Sequence, residues 1–219
     1  ADARRLAADA LLEKRIGDGQ FRQSPLRAPE SREDLETAGD LLAEYWEKVR
    51  PYDNARQDPY LISGCNLVTL YRALHRPEDA RRVALQLLQI APGDRRVLIV
   101  AAHAALDEEM LEQAEEHALG LPDGAEKTSL LLHIWSAMAS WQKILDYGTA
   151  ARRDALQGEL LEQFDTMVFR AKFLSENPVA TKEDAEELLI AWPVSLPVHI
   201  MVTDFLSAHS PDRFDEVFE

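Results

Sequence analysis

Ala80, Ala84 and Leu87 recur as Ala114, Ala118 and Leu121, thirty-four positions further along the chain. The same four-then-three spacing returns as Ile144, Gly148 and Ala151, and again as Ala185, Leu189 and Trp192. Small residues at helical spacing let a neighbouring helix approach to roughly 8–10 Å between axes. A long isolated helix has no use for such seats at regular intervals. Stacked helical hairpins do, because each one exposes an apolar face that only its neighbour can bury.

The breakers between these seats set the element lengths. His75-Arg76-Pro77 separates a helix ending near Leu74 from one that opens on Pro77, where proline suits a first turn. Ala91-Pro92-Gly93-Asp94 closes that helix, and Asp94 is placed to cap the next. Further corners fall at Asp107, at Pro122-Asp123-Gly124, near Ser140, at Asn177-Pro178, at Trp192-Pro193 and at Ser210-Pro211. Thr181, three residues before Asp184, reads as a cap. Upstream, Leu6, Ala10, Leu12 and Ile16 have helical spacing, and Gly17, Gly19, Pro25 and Pro29 punctuate a loop. Ser31 with Asp34 opens a helix through Leu35, Leu42, Tyr45, Trp46 and Val49, which Pro51 stops. No run alternates with period two for long enough to make a strand. About a dozen helices of about 10–20 residues are expected, joined by the short connections of antiparallel pairs.

Composition narrows the class of partner. The 219 residues carry 24 Lys and Arg against 39 Asp and Glu, a formal charge of −15. Such an acidic chain is a poor match for nucleic-acid backbones or anionic membrane surfaces. The most apolar run, Val97 to Leu106, is interrupted by His103 and is too short to span a bilayer. The single Cys65 leaves no internal disulfide and no cysteine-based zinc site. A lone cysteine and an acidic pI fit cytoplasm and periplasm equally. The chain has no initiator Met, and Phe214 to Glu219 reads as the start of a helix, so a piece of a longer protein or a processed chain is expected.

The segment Tyr60 to Asp94 resembles a tetratricopeptide repeat (TPR), a 34-residue helix–turn–helix unit. Leu67, Tyr71, Ala80 and Pro92 fall on four of the family's positions. Val68, Ala84 and Leu87 depart from it, standing where a small residue, an aromatic and an alanine are usual. The next unit matches through Leu98, Ala102 and Ala114, and a third offers Leu131 and Trp135 on its first helix. The likeness is weaker from Glu159 onward. It implies an all-α, right-handed superhelix (an α-solenoid) of stacked antiparallel helix pairs. Residues 1–57 would form an atypical N-terminal hairpin acting as a cap, and residues 58–219 four to five repeats in one continuous array.

The same resemblance places a concave groove along the first helix of each pair. By position its lining includes Cys65, Asn66, Thr69, Arg72, Arg96, Ile99, His103, Ser129, His133 and Ser136. His103 and His133 occupy equivalent positions, with Thr69 as their counterpart one unit earlier. These residues are neutral or basic in an acidic chain, which suits an extended partner with carboxylates or carbonyls to satisfy. The carboxylate clamp of chaperone-associated family members needs Lys and Asn in the groove, but here Cys65 and Thr69 stand at two of its positions.

Catalytic chemistry finds little footing. Cys65 has no histidine closer in sequence than His75, about 15 Å away along a helix. None of the six histidines has the H-x-x-x-H spacing of a metal site. The acidic cluster of Asp107, Glu108, Glu109, Glu112, Glu115 and Glu116 reads as a solvated helix face. Most aromatics have core spacing, but Tyr45 and Trp46 are adjacent and diverge by about 100°, so one of them is expected to be half-exposed. The expectation is therefore a non-enzymatic scaffold that binds a protein or peptide segment, without cofactor or metal. Its alternatives are a recruiting or regulatory region of a larger enzyme or of a secretion or polysaccharide system, a chaperone for a secreted subunit, and a small helical enzyme. An alternative is that one end of the array packs on another domain of the same parent chain.

Overall fold

The computed structural model describes residues 29–49 and 58–209. Those residues form eleven helices and no strand. They are α1 (Pro29–Val49), α2 (Asp58–Ala73), α3 (Pro77–Ile90), α4 (Arg95–Asp107), α5 (Leu111–Leu119), α6 (Ala125–Ala137), α7 (Trp141–Tyr147), α8 (Ala150–Asp154), α9 (Gly158–Leu174), α10 (Lys182–Ala191) and α11 (Leu196–His209). The expected helix from Leu6 to Ile16, the loop after it, the stop at Pro51, the corner at Ser210-Pro211 and the helix start near Phe214 lie outside the described residues. So do the side chains of Ser31 and Asp34. The chain divides into two compact units, residues 1–122 and 123–219.

In the first unit α2 packs on α3, α4 on α5, and α2 and α3 both on α4, so successive hairpins share one core. The repeated small residues are all buried: Ala80 and Ala84 within the core that α1 to α4 share, and Ala114 and Ala118 on α5, which packs on α4. Leu87 and Leu121 close the same two seats. The caps agree with the breakers. Pro77 begins α3, and the Asp94 carboxylate accepts the Arg96 N–H at 2.9 Å.

Trp46 ties helix α1 to this core. Its ring stacks on Tyr60 with centroids 4.2 Å apart, and its indole N–H donates to Gln86 Oε1 at 3.2 Å. It occupies the space over Gly64, where an added Cβ would lie 2.4 Å from the ring and 2.7 Å from Leu87. Tyr45 is buried as well, at 6% exposure against 2% for Trp46, so neither is half-exposed. The reason is width: Leu35, Ala38, Leu42, Tyr45 and Trp46 span an arc of about 100° around α1, broad enough for adjacent aromatics.

Three hairpin corners share one geometry. His75, Glu109 and Ala139 adopt left-handed backbone, with φ of 56°, 58° and 50°. At each, the next residue's N–H reaches back five positions: Arg76 to Tyr71, Met110 to Ala105, and Ser140 to Trp135. This is a Schellman closure made without the customary glycine.

The second unit is organised around α9, which touches α6, α7, α8, α10 and α11. Phe169 and Phe173 meet Phe205 edge-on, over Ala185, Leu188, Val198 and Val202. Thr181 and Asp184 form a two-way capping box at α10. Two of the expected seats differ here. Helix α7 ends at Tyr147, so Gly148 lies at a break before α8 instead of inside a helix. There it admits Val168, whose Cγ2 would be 2.9 Å from a Cβ. In α10 the buried partner of Ala185 is Leu188, and Leu189 is only half-buried.

Candidate functional site

In the first unit the expected groove residues lie on α2 and α4, which are neighbouring first helices. Asn66 and Thr69 are half-buried on α2, and the Thr69 hydroxyl donates to the Cys65 carbonyl at 3.0 Å. One helical turn on, Arg72 bonds Asp107 of α4 through two nitrogens, Nε at 2.5 Å and Nη2 at 3.2 Å. Thr69, Arg72, Ala73, His75, Pro77 and Asp107 together line an open cleft of about 550 Å³. His103 is half-buried on α4.

The charge of this surface is more balanced than the residue list implies. Arg96 is held by its own cap, with Nε and Nη2 at 3.0 and 2.7 Å from the Asp94 carboxylate. The Arg96 hydrogen bond, opposed by partial burial, keeps the Asp94 carboxyl below the usual carboxylate range. Both arginines of the groove therefore face an aspartate. The acidic cluster is largely exposed, as its sequence suggests, but two of its members are paired, Asp107 with Arg72 and Glu108 with Arg81 at 3.3 Å.

Cys65 is buried on α2. Burial first, and Asp94 second, push its thiol up to about 12, with Arg96 opposing. At neutral pH it is a protonated, poorly nucleophilic side chain. No group of His, Cys, Asp and Glu among the described residues could hold a metal ion, and no described helix is long and apolar enough to cross a membrane.

In the second unit the expected row is on α6. Ser129 and His133 are brought to one pocket of about 280 Å³, and half-buried Ser136 lies further along the same helix outside it. The pocket's remaining walls come from elements the sequence reading had no register for. Glu159, Leu160, Glu162, Gln163, Thr166 and Met167 of α9 face α6, with Pro197 at the start of α11. Thr128 and Leu132 complete the lining. Glu162 is positioned from the side: the Ser195 hydroxyl donates to its Oε1 at 2.5 Å. A signal for this wall was present. Glu159, Gln163 and Thr166 form an i, i+4, i+7 polar row opening just after Gly158.

A second cleft of this unit, about 380 Å³, lies between α8, α9 and α10. Both cations of its lining are matched internally. Arg153 bonds Asp165 at 2.7 and 2.8 Å, Trp192 donates to the same carboxylate at 3.1 Å, and Lys172 pairs with Asp184. These contacts join helices to one another.

No protein-family model matches the chain, and no curated protein matches its sequence. Among solved structures it is similar to a protein assigned as a kinesin light chain from Podosopora anserina, with nearly identical TPR-like repeats, at 15% identity and a TM-score of 0.58. That alignment covers 84% of this chain and 96% of the other. A single-residue variant of the same protein aligns at 15% identity and a TM-score of 0.59, over 86% and 95%. The fold is thus that of TPR-like helical repeats, all-α.

Proposed function

We propose that the chain is a non-enzymatic scaffold that binds a segment of a protein partner along the outward faces of its first helices. In the first unit that face comprises Asn66, Thr69, Arg72, Arg96 and His103, and in the second Ser129, His133 and Ser136. The observation that carries the reading is the cleft at Thr69, Arg72 and Asp107. Its arginine is held in place yet not exhausted, because a guanidinium has five N–H donors and Asp107 engages two nitrogens. The remaining donors suit the carbonyls or carboxylates of an extended segment. The raised Cys65 thiol supports a binding role over nucleophilic chemistry.

The test uses the 219-residue chain as bait, alone and as the Arg72→Glu/Arg96→Glu variant. A captured partner is then titrated against both. The double variant is expected to bind at least about tenfold more weakly, the size of one lost charge-assisted contact, with an unchanged helical circular dichroism spectrum. Equal affinity would remove this face from the function.

A second reading has one observation in its favour. The pocket on α6 and α9 has an apolar floor of Leu132, Leu160 and Met167. This is the feature that a chaperone shielding an apolar partner segment would need.

A further inference from the structure

The α6–α9 pocket differs in chemistry from the cleft of the first unit. Leu132, Leu160, Met167 and Pro197 supply its apolar walls, while Glu159 and Glu162 are the charged groups in its lining, which contains no Lys or Arg. At about 280 Å³ it falls below the roughly 300–1,000 Å³ of cavities that enclose a whole small ligand, so it fits a side chain or two. Glu159 is exposed and has no ion-pair partner among the described residues. Glu162 is anchored by Ser195 and so presents a carboxylate of fixed position. The apolar wall also continues outward. Ile200 lies three residues after Pro197 on α11 and is 53% exposed, and Asp204 is exposed one turn further.

We infer that this pocket receives a bulky apolar side chain of a partner segment that carries Lys or Arg beside it, the apolar group seated on Leu132, Leu160 and Met167 and the cation facing Glu159. The inference rests on the scaffold reading and narrows it. A purely apolar segment would leave Glu159 without a counter-charge at the rim, and an acidic one would be repelled by both glutamates. A basic segment without a large apolar group would leave the floor of the pocket open to water. The two features together select a segment that is cationic and apolar at adjacent positions.

The experiment is a selection of random twelve-residue peptides on the immobilised 219-residue chain, with enriched sequences synthesised and titrated. Enriched peptides are expected to pair Leu, Ile, Met or Phe with a neighbouring Lys or Arg. Glu159→Lys, at an exposed position, is expected to weaken them about tenfold and to flatten their salt dependence. Ser129→Trp, which fills the pocket, is expected to weaken them about thirtyfold, and its thermal transition serves as the folding control. An acidic or charge-indifferent consensus overturns the inference, as does a failure to enrich any peptide. So does binding that survives Ser129→Trp and Glu159→Lys but falls with Arg72→Glu/Arg96→Glu. That last pattern puts recognition on the first unit and leaves the scaffold reading standing.

Discussion

At the scale of single residues, Gly64 shows how a local preference yields to packing. It sits inside α2, where alanine is favoured over glycine by about 1 kcal/mol. Its missing Cβ is what allows the Trp46 ring to lie flat on Tyr60 and reach Gln86. A ring fixed on two sides cannot retreat, so overpacking at the upper end of the usual range, about 3 kcal/mol, is expected. Gly64→Ala should therefore destabilise the chain by about 2 kcal/mol in urea titration, followed by far-UV circular dichroism. A gain in stability would mean that helix propensity governs this position. The same residue explains a gap in the sequence reading. Val68 occupies the repeat position where a small residue is usual, and the close approach is made one turn earlier, at Gly64. Adjacent Tyr45 and Trp46 misled for a related reason, since the width of a buried stripe is set by how many helices press on it.

At the scale of elements, the hairpin corners were legible wherever a proline, glycine or cap marks them, as at Pro77, Pro92-Gly93-Asp94 and Thr181. The common geometry of the turns themselves was not. His75, Glu109 and Ala139 share a left-handed backbone, thirty-four and then thirty residues apart, yet have no side-chain chemistry in common. Left-handed backbone costs a non-glycine residue about 1–2 kcal/mol, and glycine forfeits about 0.5–1 kcal/mol of that through its freer unfolded chain. Ala139 is exposed, so Ala139→Gly loses little packing. It is expected to raise stability by about 0.5–1 kcal/mol, read as a higher urea midpoint at constant slope. A lower midpoint would contradict the turn geometry. The pairings across elements were hidden for another reason. Arg72 and Asp107 are thirty-five residues apart, and only the packing of α2 on α4 makes them neighbours. Along the chain, Asp107 belongs to an acidic run and Arg72 to a basic groove.

At the scale of the whole molecule, the helical repeat plan followed from the spacing of small residues and breakers, which are properties of the backbone and survive degenerate side chains. The proposed binding surface was half legible. Ser129 and His133 do come together, but their opposite wall on α9 lies where the repeat likeness weakens, from Glu159 onward, and it reverses the expected charge there. Each unit has its own buried core, around Trp46 and Val68 in the first and around Phe169 and Val202 in the second. The proposed function rests on faces that these cores leave outward. The most direct measurement is amide hydrogen exchange of the full chain with and without a captured partner. Slowed exchange confined to α2, α4, α6 and α9 is the expected result. Protection confined to α3, α5 and α10, with those first helices unchanged, would contradict it.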